Sequence, residues 1–128
     1  MKIVDTSVWV SFFNPEDSNN NKARNIFLAT KAEDIIVFDY IYTESMNVLR
    51  AKFTDDYCIN FSGFLNYLGI PVSLGAPIVI RLANIYFFQF KKLSFTDCLI
   101  LASAKINNYE IATFDDALQK AAAFILVK

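Results

Sequence analysis

Apolar positions along the chain fall into two kinds of run, very short uninterrupted ones and longer ones at helical spacing. Lys2 to Val4 predicts a short strand, and Thr6 to Phe13 a helix that Asn14-Pro15 ends. Glu16 to Asn21 is polar and predicts a mobile loop. From Lys22 to Ala32, the positions Ala23, Ile26, Phe27, Leu28 and Ala29 recur near helical spacing. Ile35-Ile36-Val37-Phe38 is wholly apolar, which suits a buried strand of a parallel sheet. Helices are expected from about Tyr40 to Phe53, from Thr54-Asp55-Asp56 to about Leu68, from Gly75-Ala76-Pro77 to about Lys92, and from Phe95 to Asn107. Gly69 to Ser73 reads as a turn feeding a short strand, and Glu110 to Thr113 as another strand. Asp115 starts a helix to about Ala122, and Phe124 to Val127 is expected to be a last strand. Short strands separated by helices, with no repeats or low-complexity linkers, predict an α/β fold: one short, mostly parallel sheet with helices on both faces.

Composition narrows the class. A chain of 128 residues is the size of one domain, and residues 1–128 are read as one. Hydrophobic residues make up 55% and charged residues 20%, which excludes disorder as the ground state. No apolar run approaches the roughly 20 residues that span a bilayer. Asp5 interrupts what a secretory signal would need as a continuous apolar stretch, so a cytoplasmic location is expected. Cys58 and Cys98 follow no metal-ligand spacing and suit reduced, packed thiols.

Histidine is absent, which removes the commonest general base and the commonest transition-metal ligand together. Ser-His-Asp, Cys-His and His-zinc chemistries are excluded. Chemistry must then come from carboxylates, lysines, hydroxyls, or a hard metal ion held by oxygen.

In open α/β sheets, sites form beyond the carboxyl ends of the strands, and several acids fall there. Asp5 follows the first strand, Glu44 lies early in the helix after the second, and Asp115 and Asp116 follow the Glu110 strand. Asp97 opens a helix that follows another helix. Each has a plain reading: Asp5 and Asp115 as helix N-caps, Ser94-x-x-Asp97 as a capping box, Glu44 as a solvated helix position. Together they are harder to dismiss. Carboxylates gathered at one rim repel one another, and a divalent cation such as Mg²⁺ or Mn²⁺ compensates far better than helix N-termini do.

Asp5-Thr6-Ser7-Val8-Trp9 after a first strand, Glu44 in the third helix, Ser94-Phe95-Thr96-Asp97 opening a late helix, and Thr113-Phe114-Asp115 after a late strand resemble the PIN-domain family, specifically its small VapC-like toxin ribonucleases. The resemblance covers essentially the whole chain. It implies a Mg²⁺- or Mn²⁺-dependent endoribonuclease, with Asp5, Glu44, Asp97 and Asp115 as the metal-site and catalytic acids. Thr6 and Thr113 would be neighbouring hydroxyls that orient ligands or water, and Asp116 the substitute for Asp115. It also implies a homodimer and a cognate antitoxin protein as partners, in a toxin-antitoxin pair.

An RNA substrate needs positive charge, although 13 acids against 12 bases rule out a broadly basic surface. Arg50, Lys52, Lys91 and Lys92 are the main candidates, with Lys22 or Arg24 near the polar loop; Trp9, in an apolar run, is assigned to the core. No segment suits direct DNA binding. A haloacid-dehalogenase-type phosphatase would need a second Asp two positions after Asp5, where Ser7 stands. The alternative of another class is a non-catalytic PIN-like module that binds RNA or protein through the same groove.

Overall fold

The computed structural model describes residues 1–127. Strand β1 (Lys2–Val4) leads through Asp5 into helix α1 (Thr6–Phe13), and α2 (Asn20–Leu28) follows a polar turn. A single 3₁₀ turn (Ala32–Asp34) precedes β2 (Ile35–Phe38), which passes into α3 (Asp39–Lys52) and α4 (Asp55–Leu68). The two-residue strand β3 (Val72–Ser73) precedes α5 (Pro77–Gln89) and α6 (Phe95–Asn107). Then come β4 (Glu110–Ala112) and α7 (Asp116–Ile125).

The strands form one sheet in the order β3-β2-β1-β4, and every pairing is parallel. Ile3 and Val4 are adjacent in β1, point to opposite faces, and are both fully buried, so helices cover the sheet on both sides. The expected α/β architecture is therefore present. Several boundaries follow from local chemistry: Gly69 adopts a left-handed φ of 70° that ends α4, Asn108 does the same at φ 56° for α6, and Pro77 occupies the first turn of α5.

Trp9 sits at 0% exposure, its indole nitrogen donating to the Val4 carbonyl at 3.1 Å. Around it Phe27, Phe61 and Phe64 pack with ring centroids 4.7 to 6.2 Å away, and Phe12 and Phe13 join the same group. This aromatic cluster is part of the core. The thiols Cys58 and Cys98 are free and buried.

Two expectations are corrected. Phe124 to Val127 does not form a strand. The Ala-rich segment before it has strong helix propensity, α7 continues to Ile125 with Leu118 and Ala121 buried, and Lys105 Nζ donates to the freed Ile125 carbonyl at 3.2 Å. The Glu16 to Asn21 segment is also more organised than its polarity suggested. Asn20 starts α2 and, almost fully buried, donates its side-chain amide to the carbonyls of Ser11 (2.9 Å) and Phe12 (3.1 Å). Both carbonyls lie in the last turn of α1, where the Ser11 carbonyl otherwise accepts only from the Asn14 amide at 3.3 Å. Among the described residues no helix is long and apolar enough to cross a membrane.

Candidate functional site

The parallel register places the chain immediately after β1 beside the chain immediately after β4, since Val4 pairs with Ala112 and the Asp5 amide donates to the Ala112 carbonyl at 2.9 Å. Here the two strand ends are tied together by side chains. Asp5 Oδ1 accepts from the Thr6 amide (2.8 Å), which makes it the N-cap of α1. Its Oδ2 accepts from the hydroxyls of Ser7 (3.0 Å) and Thr113 (2.7 Å). Ser7 Oγ in turn accepts from the Phe114 amide at 3.0 Å, and Thr113 Oγ1 from the Asp115 amide at 3.0 Å. Asp115 Oδ1 then accepts from the Leu118 amide at 2.9 Å, capping α7.

Asp97 lies at the start of α6 in a reciprocal capping box: the Asp97 amide donates to Ser94 Oγ and the Ser94 amide to Asp97 Oδ2, both at 3.1 Å. The caps expected at Asp5, Ser94 and Asp115 are therefore made, whereas Thr54 starts α4 without a side-chain cap bond. Capping and a second role do not compete, because each carboxylate oxygen carries more than one lone pair.

These elements border one groove, with a volume of about 640 Å³, and Asp5, Glu44, Asp97 and Asp115 all line it. Burial pushes the Asp5 carboxyl above its ordinary value of 3.8, with the Glu44 charge adding to the rise, while the bonds from Thr113, Ser7 and Thr6 oppose it. Asp97 is pushed up to about 6, first by burial and then by the charges of Asp5 and Asp115, against the pull of its Ser94 hydrogen bonds. The acids therefore feel one another. They stop short of a closed cage: among the described residues no three His, Cys, Asp or Glu side chains stand together as a metal-holding cluster.

The remaining sequence candidates divide. Thr6 is buried beside the acids, its hydroxyl accepting from Ser45 at 3.3 Å, and Lys52 and Lys92 line the groove. Asp116 does not line it and pairs instead with Lys120 at 3.0 Å. Arg50 pairs with Asp55 at 3.1 Å, and Lys91 turns toward the Phe88 ring, 5.8 Å from its centroid. Lys22 and Arg24 border other depressions. Sequence reading gave no role to Ser7, which joins the β1 and β4 ends, nor to Asp17 and Asn19, which line the groove's outer wall. The Asp-Thr-Ser triplet was the available signal for Ser7; nothing local marked the other two.

A parallel α/β sheet with a carboxylate groove beyond its strand ends is the frame of an acid-site domain. The chain belongs to the PIN domain family, whose model matches residues 2–124. Its fold is similar to that of VapC20 from Mycobacterium tuberculosis, a sarcin-ricin loop cleaving toxin, with a TM-score of 0.84 at 16% identity over 99% of this chain and 98% of that one. It is also similar to FitAcB from Neisseria gonorrhoeae, with a TM-score of 0.71 at 17% identity over 95% of this chain and 93% of that one. No curated protein matches the chain in sequence.

Proposed function

We propose that the chain is a metal-dependent endoribonuclease that hydrolyses RNA phosphodiester bonds at the acidic groove. The observation that carries this reading is the coupling of acids from separate elements, with Asp97 raised to about 6 by burial and by Asp5 and Asp115. Such repulsion costs stability unless a cation or proton relieves it. The donor set fits a hard divalent ion: it is all oxygen, and no histidine or exposed thiol competes. Asp5, Asp97 and Asp115 would hold Mg²⁺ or Mn²⁺, with Glu44 as a further ligand or as a base acting through water. Bound there, the ion supplies hydroxide at neutral pH and counter-charge for the scissile phosphate.

The chain's own groups prepare that chemistry. Thr113 and Ser7 hold the Asp5 carboxylate, the Ser94 amide holds Asp97, and the Leu118 amide holds Asp115. Little reorganisation is then needed on binding. The Glu44 carboxylate lines the groove and would take the proton of an attacking water. Attack by water at phosphorus would break the bond to the leaving ribose oxygen and give 5′-phosphate and 3′-hydroxyl ends. Lys52 and Lys92 would meet the RNA backbone within the groove. Membership of the PIN domain family supports the reading, and VapC20, as a sarcin-ricin loop cleaving toxin, makes a structured RNA with an exposed loop the first substrate to try. The same reading extends to a cytoplasmic homodimer neutralised by a cognate antitoxin.

The test is digestion of total cellular RNA by purified protein with Mg²⁺ or Mn²⁺, beside EDTA and Asp97→Asn controls, with the new ends mapped. Discrete cuts bearing 5′-phosphates, lost in both controls, are expected. The open arrangement of the acids favours a second reading, a non-catalytic RNA- or protein-binding module. RNA binding without cleavage under any divalent ion would select it.

A further inference from the structure

Even with the proposed ion, the groove carries little positive charge for a polyanion: its wall has Asp5, Asp17, Glu44, Asp97 and Asp115 against Lys52 and Lys92. Further counter-charge for the RNA on either side must come from beyond it. Lys92 also forms part of a second depression, which Lys91, Phe90 and Leu93 border on one side and Ala117, Lys120 and Ala121 of α7 on the other. The two depressions therefore share a wall. No acid lines the second one, although Asp116, one turn earlier on α7, pairs with Lys120. That pair is exposed, with side chains 77% accessible, and such pairs are weak and screened enough for the lysine to exchange partners. Phe90, Leu93, Ala117 and Ala121 give it an apolar lining, and Phe124, 69% accessible and just outside that lining, stands edge-on to Phe90 at 6.4 Å between ring centroids.

Lysines over an apolar floor, with an accessible aromatic ring beside them, are the elements that grip single-stranded nucleic acid through backbone charge and base stacking. We propose that this basic depression binds the single-stranded RNA flanking the scissile phosphate, with Lys91, Lys92 and Lys120 on phosphates and a base stacked on Phe124. The inference rests on the ribonuclease reading for its choice of occupant. Lys92 lines both depressions, so one strand can reach from the acids to the lysines through it.

The experiment measures binding of a fluorescent 12-nucleotide single-stranded RNA to the intact protein in EDTA, where no cleavage intervenes, from 50 to 200 mM KCl. The variants are wild type, Lys91→Gln/Lys120→Gln and Phe124→Ala, each checked for an unchanged melting temperature. Each phosphate contact contributes about 0.7 to the logarithmic salt slope on a single strand, so the double lysine variant should flatten it by about 1.4. Phe124→Ala should weaken binding roughly fivefold or more and leave that slope unchanged. Equal slopes for wild type and double variant, or no binding by wild type at 50 mM, overturn the proposal and leave an acidic protein segment as the better occupant. The two readings fail separately. Cleavage by wild type with equal slopes sinks only the depression, whereas different slopes with no cleavage under any divalent ion sink only the nuclease.

Discussion

Asp5 illustrates how much one residue can be asked to do, because its carboxylate caps a helix, receives two hydroxyls from different parts of the chain, and borders the proposed metal site. Thr113 is the partner that makes this arrangement rigid. Replacing it with Val keeps the shape but leaves both Asp5 Oδ2 and the Asp115 amide short of a partner, so Thr113→Val should cost about 1–3 kcal/mol. Thr113→Ser should recover most of that in thermal melts. Asp97 gives a prediction with a sign that runs against the usual acid. Its carboxyl binds a proton more tightly folded, near 6, than unfolded, near 3.8, so its contribution is favourable below about pH 4 and is lost as pH rises through 6. In EDTA at pH 7.5, Asp97→Asn should therefore melt higher than wild type, by about 1 kcal/mol once its partial solvent screening is allowed for, and no higher near pH 4. The same substitution should abolish RNA cleavage. At this scale the caps were legible because an N-cap is written in three or four adjacent residues. The Ser7 and Thr113 bridge was not, since it joins positions 106 residues apart.

The elements that position the site show where short-range patterns suffice and where they fail. Strand β2 and helix α6 could be read directly, one from four consecutive apolar residues and the other from its capping box and left-handed Asn108. Phe124 to Val127 is as apolar as β2, but it follows an Ala-rich helix whose buried stripe simply continues, and a four-residue run cannot signal which neighbour it will join. Asn20 was hidden for a different reason. A polar residue in a polar stretch looks like loop, and only the last-turn carbonyls of α1 reveal it as a clamp. Asn20→Ala should cost about 1–2 kcal/mol and make the Asn14 to Lys22 segment the first to be cut in limited proteolysis, with the melting temperature and fragment masses as readouts.

For the whole molecule, charge and apolar surface are distributed unevenly, and each makes a prediction. The acids cluster in the groove, so Mn²⁺ or Mg²⁺ should raise the melting temperature at pH 7.5, by about 2.7 kcal/mol of stability at a concentration 100-fold above its Kd, and by much less at pH 5, where protons compete at Asp97. An unchanged melting curve at both pH values would count against a metal site. Helix α5 leaves Ile78, Ile85 and Phe88 exposed along one face, the surface on which the proposed homodimer would be expected to close. Ile85→Glu should then elute as a monomer in size-exclusion chromatography at concentrations where wild type elutes as a dimer.

The pairing of β1 with β4 has a consequence in time as well as in space. The hydroxyl that anchors Asp5, from Thr113, is made 108 positions after it. At translation rates of about 5–20 residues per second, that is a delay of roughly 5–20 s during which a nascent chain carries its first acid with neither its anchor nor Asp115 beside it. On the proposed function, the acidic site stays incomplete until Thr113 and Asp115 have been made.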